Sequence, residues 1–190
     1  MINLFKKFGV FLIAVLCVGQ QSFAADGKVD SQIFADYYYW KDHHDGAWKG
    51  QNGFQFRRGY LTYANSINDN WAGKFTLEIT HTDLAAAQAT PSSIIKVAQL
   101  ERNFGDNKFL FGQMSTPTWA TVEKYWGYRG IEKTALDLWK FGNSVDIGVS
   151  WQGQALEKKI YYTLMIGNDE STSNENDKYK AYYSALGFRP

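Results

Sequence analysis

The chain has one cysteine, Cys17, among its 190 residues. An internal disulfide is therefore excluded. No apolar run approaches the ~20 residues that a membrane-spanning helix needs; the candidate run, Phe8 to Val18, is too short. Charge of one sign is also lacking. With 20 basic and 19 acidic residues, no bulk field draws the chain to nucleic acid. The sequence contains no Gly-x-Ser-x-Gly elbow, no phosphate-cradling glycine loop and no cysteine nucleophile. An enzyme of the barrel lipase or protease kind would need a serine or aspartate beside a histidine at one rim. His43 or His44 could be recruited, but nothing indicates a partner. The chain reads as a non-enzyme without cofactor.

What is present begins with an export signal. Lys6 and Lys7 form a charged start, Phe8 to Val18 an apolar run, and Ser22-Phe23-Ala24 a small-x-small cleavage site. An uncleaved anchor is the alternative. A lipoprotein signal is rejected, because Leu16 stands where that signal wants a small residue. Cleavage after Ala24 leaves residues 25–190, enough for one ordinary domain. It also removes Cys17, Lys6 and Lys7, which tips the charge balance slightly acidic. Aromatic residues make up 17% of the sequence, with 12 tyrosines and 7 tryptophans. Such rings have an apolar body and a polar tip, and collect where hydrocarbon meets water.

After the signal, eight segments read as strands: Val29 to Trp40, Phe54 to Asn65, Trp71 to Thr82, Ile94 to Phe104, Phe109 to Ser115, Val145 to Gly153, Ile160 to Asn168 and Lys180 to Phe188. Short connections (Ser66 to Asn70, Gly105 to Lys108, Gln154 to Lys159) alternate with long ones. Within "WAGKFTLEIT", Trp71, Phe75, Leu77 and Ile79 share one face, and Lys74, Thr76, Glu78 and Thr80 share the other. Val145, Ile147, Val149 and Trp151 likewise oppose Asp146, Ser150 and Gln152. A soluble sandwich also alternates. The export signal, the aromatic strand ends and the alternation of short and long loops favour an all-β, transmembrane antiparallel barrel in the bacterial outer membrane, in contact with lipid.

Arg57 and Arg58 test the phase, since adjacent strand residues point oppositely. An arginine facing lipid at the midplane costs about 2–4 kcal/mol. Placing Gly59, Leu61 and Tyr63 outward sends Arg58 inward and leaves Arg57 near the rim, where its stem can snorkel. That phase turns Phe54 and Phe56 inward unless a bulge intervenes.

Three stretches carry a resemblance. "FQFRRGYLTYANSINDNWAGKFTLEI" resembles an early strand–turn–strand of the phosphate-selective porins of the O and P type. "FGQMSTP" resembles that family's strand running into its third loop, and "GYRGIEKT" followed by "VDIGVSWQG" resembles the loop and the next strand. The resemblance implies a sixteen-stranded, trimeric barrel whose third loop folds inward to narrow a channel for small anions such as phosphate. Where family members often carry a lysine before the Thr-Pro pair, this chain has Ser115. The eight strands then read as the first half of the porin. A complete eight-stranded structural or adhesion barrel without a conducting pore is the alternative.

The region from Gly112 to Val149 is the longest excursion, and loops of that size are usually functional. Gly130 to Trp139 has the composition of a short helix, with Leu136 and Trp139 on one face. Folded inward, the excursion would anchor its aromatics on the wall and aim Lys124, Arg129, Lys133 and Lys140 at the opening, where rings of Lys or Arg select anions. Arg58 and Lys74 join these candidates through strand phase; pairing with Glu78 or Glu101 would make them merely structural. The bland reading of the excursion is a set of solvated charges on an external loop. "YYYW" at Tyr37 to Trp40 reads as interfacial girdle, and "DHHD" at Asp42 to Asp45 as a polar loop rather than a metal site. Asn168 to Asp177 lacks the glycine and spacing of a calcium loop.

Overall fold

A computed structural model describes residues 27–42, 46–81 and 91–189. Eight strands form one antiparallel sheet in chain order. They are β1 (Lys28–Tyr39), β2 (Asn52–Ser66), β3 (Trp71–His81), β4 (Pro91–Phe104), β5 (Asn107–Ser115), β6 (Val145–Ala155), β7 (Ile160–Gly167) and β8 (Ala181–Phe188). Each corresponds to a strand expected from the sequence, with ends shifted by a few residues. Tight turns suit the short connections. In the β2–β3 turn, Asn68 Oδ1 accepts from the backbone N–H of Asn70 and of Trp71, both at 3.0 Å. Gly105 takes φ +59 in the β4–β5 turn, a conformation that glycine adopts without a Cβ clash.

Burial across the sheet is inverted relative to a soluble sandwich, which hides its apolar face. Ile33, Leu61, Phe75, Val149, Leu164 and Leu186 are exposed, Ile33 to 70% and Leu186 to 80%. On the opposite face Thr76, Glu78 and Ser150 are buried. The polar side is the covered one. A small apolar cluster interrupts it, where Leu110, Met114 and Met165 pack with Tyr183.

Two register shifts change which side chains reach that covered face. Between β1 and β2, Phe34 pairs with Arg58 and Ala35 with Phe56, so Arg57 is an extra residue. Between β3 and β4, Thr76 pairs with Val97 and Leu77 with Ile95, leaving Lys96 extra. A bulge bends its strand and re-aims a side chain. The first bulge corrects the expected rim position of Arg57, whose guanidinium turns inward to Asp36 at 3.4 Å. It also returns Phe54 and Phe56 to the outer phase, opposite Tyr37 and Ala35.

The long excursion between β5 and β6 contains two helices, α1 (Pro117–Tyr125) and α2 (Ala135–Leu138). The helix expected over Gly130 to Trp139 is thus reduced to one turn, and the longer helix lies earlier. Pro117 explains its position: proline opens a helix without loss, because the first N–H groups have no intrahelical partner. α1 lies against β7 and β8, while Arg129, only a few residues beyond it, reaches Tyr60 of β2. The excursion thus spans the covered face of the sheet from β8 to β2. β1 and β8 end the strand order, each hydrogen-bonded along one side among the described residues.

Candidate functional site

The excursion is tied shut at its base. Thr116 donates its hydroxyl to Asn143 O at 2.7 Å and its N–H to Ser144 O at 3.1 Å, so the two ends of the loop meet. Asn143 in turn donates Nδ2 to Asp169 O at 2.7 Å, across to the β7–β8 connection. Asp146, fully buried at the start of β6, accepts from the N–H of Ile147 and of Asp169, both at 2.8 Å, and from the Tyr183 hydroxyl at 2.9 Å. This carboxylate joins β6, β8 and the β7–β8 connection. Trp119 on α1 is buried, and Trp126 donates its indole N–H to Glu132 O at 3.0 Å. Trp139, expected to anchor on the wall, is instead 70% exposed.

Arginines of β2 hold the far side of the loop. Arg57 donates from Nη1 to Gly130 O at 3.3 Å and to Ile131 O at 3.0 Å. Arg58 donates from Nη2 to Arg129 O at 3.4 Å. The Arg129 side chain donates to the Tyr60 hydroxyl at 3.3 Å and to Glu123 at 2.7 Å. Between loop and sheet lies a cavity of about 330 Å³, lined by Arg58, Tyr60, Glu78, Lys96, Arg129 and Lys133 among others.

The charges around this cavity are mostly paired. Besides Arg57–Asp36 and Arg129–Glu123, Lys96 lies 3.1 Å from Glu78 Oε2 and Lys133 3.9 Å from Asp137. The Lys96–Glu78 contact is an ion pair by distance, yet Glu78 Oε2 has no aligned hydrogen-bond donor. Arg58 has no carboxylate partner among the described residues. Its guanidinium stands over the Phe34 ring at 4.7 Å, and the Tyr60 ring lies 6.0 Å away. An arginine stacked on rings keeps its charge while its stem is desolvated.

The six candidates from the sequence therefore separate. Arg58, Arg129 and Lys133 meet at this cavity. Lys124 lies at the far end of α1, beside a second cavity. Lys74 shares the covered face of β3, but lines a hollow at the turn end with Lys28, Gln99 and Glu101. Lys140 is exposed, at φ 52, and lines none of these cavities. Glu78 and Glu101 do pair, with Lys96 and Lys108 respectively, and not with Arg58 or Lys74.

Sequence reasoning missed Arg57 and Lys96 at this cavity, because both are bulge residues. One signal was available: two adjacent arginines in a strand already conflicted with strict alternation. For Lys96 no comparable signal exists. Of "YYYW", Tyr37 and Tyr39 are exposed on the outer phase, while Tyr38 turns toward Trp40 at 6.5 Å between ring centres. Residues 43–45, which carry the histidines of "DHHD", lie outside the described residues. In the β7–β8 connection, a hydrogen bond from Lys180 holds the Glu175 carboxyl below its usual range. Comparison with family models, with curated proteins and with solved structures found no match to this chain.

Proposed function

We propose that this chain forms the wall of an outer-membrane porin, a water-filled channel for passive diffusion of small anions, phosphate among them. The observation that carries the reading is the inward excursion. A loop of charged residues crosses the polar face of a sheet whose opposite face is apolar and exposed. Outer-membrane barrels put apolar residues toward lipid and polar residues toward the lumen. The two sheet edges, β1 and β8, unpaired on one side among the described residues, support a barrel completed by further strands, because closure is what removes edges. On this reading the export signal is cleaved and the working protein is a sixteen-stranded trimer of the phosphate-selective O and P type. The alternative, a small non-conducting barrel, draws on the apolar cluster of Leu110, Met114 and Met165, which fills part of the covered face.

Two measurements test this. In planar bilayers the protein should conduct with anion preference, read as the reversal potential in a salt gradient. Arg129→Gln should lower that preference strongly, since it removes a cation and leaves Glu123 bare beside the passage. Lys49→Gln, on another loop and paired with Asp42, should leave it near the parent value. An absence of conductance favours the small barrel; cation preference in the parent rejects the anion reading. For the wall, Leu77 lies opposite Leu61 and Ile95 on the outer phase. Leu77→Arg should weaken folding into vesicles by about 2–4 kcal/mol. Gln99→Arg, on the inner phase beside Lys74, should cost far less. Equal costs at the two positions would rule out a lipid-facing wall.

A further inference from the structure

The second cavity, about 490 Å³, lies between α1 and the inner side of the sheet toward the short turns. Its charge balance differs from that of the cavity at Arg58. Lys108, Lys124, Lys158 and Arg189 line it against a single carboxylate, Asp106. Only Lys108 has an ion-pair partner among the described residues, Glu101 at 2.9 Å. Two of the remaining cations come with rings. Lys124 lies 5.6 Å from the centre of the Tyr125 ring, and Arg189 lies 5.5 Å from that of Tyr161. Tyr125 from α1 and Tyr161 from β7 both line the cavity, one from the helix and one from the sheet. Glycine seats one of them: a Cβ at Gly187 would collide with the Tyr161 ring.

We propose that this cavity binds a small planar organic anion of the aromatic carboxylate class. The excess positive charge takes the carboxylate, because charge-assisted hydrogen bonds are the stronger kind. The tyrosine rings take the flat face, through stacking that an aliphatic ring cannot match. The volume falls within the ~300–1,000 Å³ common for small-molecule sites, more than a lone inorganic anion fills. The inference goes beyond the porin reading.

The test is isothermal titration of the whole chain, refolded in detergent micelles, with benzoate, cyclohexanecarboxylate and inorganic phosphate. Benzoate should bind about fivefold tighter than cyclohexanecarboxylate, the scale of one aromatic pair. Lys124→Gln and Arg189→Gln should each weaken benzoate about tenfold. Tyr161→Leu should erase the preference for benzoate, whereas Tyr161→Phe, which keeps the ring, should preserve it. Lys49→Gln is the remote control, and unchanged heat-modifiable migration on gels certifies that each variant is folded. Equal binding of all three anions, or benzoate binding indifferent to Lys124→Gln and Tyr161→Leu, overturns the proposal. Loss of conductance with benzoate binding intact would count against the porin reading alone.

Discussion

Asp146→Ala is expected to destabilise the folded protein by about 2–3 kcal/mol, the scale for losing hydrogen bonds to a buried charged group. The carboxylate is fully buried and accepts three hydrogen bonds, from Ile147 N–H, Asp169 N–H and the Tyr183 hydroxyl. Alanine leaves the Tyr183 hydroxyl with only its 3.2 Å contact to Asp169. It also takes from the Asp169 N–H its carboxylate acceptor, which unties the β7–β8 connection from β6. Asp146→Asn keeps one acceptor oxygen and the side-chain volume, so it should lose markedly less. Urea unfolding in vesicles, followed by tryptophan fluorescence, reads both. If alanine and asparagine were equally tolerated, the tie between β6 and the β7–β8 connection would have no energetic weight.

The double substitution Arg57→Gln with Arg58→Gln should release the far side of the excursion. Three arginine donations to the carbonyls of Arg129, Gly130 and Ile131 pin that segment, at 3.0 to 3.4 Å. Hydrogen bonds from charged donors contribute ~1.5–3 kcal/mol each, and long ones fall at the low end. Losing even one such contribution raises the population of the released loop about tenfold. Trypsin should then cut the reconstituted protein after Lys133 or Arg129 at least ~10 times faster, because cleavage tracks the open population when reclosing is fast. On the porin reading, conductance should rise in parallel, with the loop no longer held across the inner face. Arg57→Lys, which keeps charge but not the forked donor geometry, should fall between. Unchanged cleavage in the double variant would mean that the helix side alone holds the loop.

Arg58 illustrates how strand phase can place a residue without showing its contacts. Strand phase placed it on the inner face, and the structure agrees. Its donor is used on a loop carbonyl and its plane is stacked on Phe34. It therefore positions the excursion as well as charging the cavity. Pairing could not be read along the chain, because each partner arrives from a different strand or from the loop. Glu78, for which strand phase offered Arg58 or Lys74, meets Lys96 instead because β4 bulges.

By itself the sequence determined the eight strands, their order and, away from the bulges, the face that each alternating residue takes. These follow from a period of two, which is a local property of extended backbone. It also marked the excursion between β5 and β6 as the place where that period stops. Only the tertiary structure decided where the period slips. A bulge adds one residue opposite a fixed partner, and so depends on the register of two strands far apart in the chain. Those slips aim Arg57 and Lys96 inward. The tertiary structure likewise decided which part of the excursion is helical. A one-turn helix cannot stand on propensity alone, and helices of that length persist through packing. α1 has the sheet at β7 and β8 to pack on, while the stretch at Gly130 to Trp139 is held chiefly by arginine contacts to its backbone carbonyls.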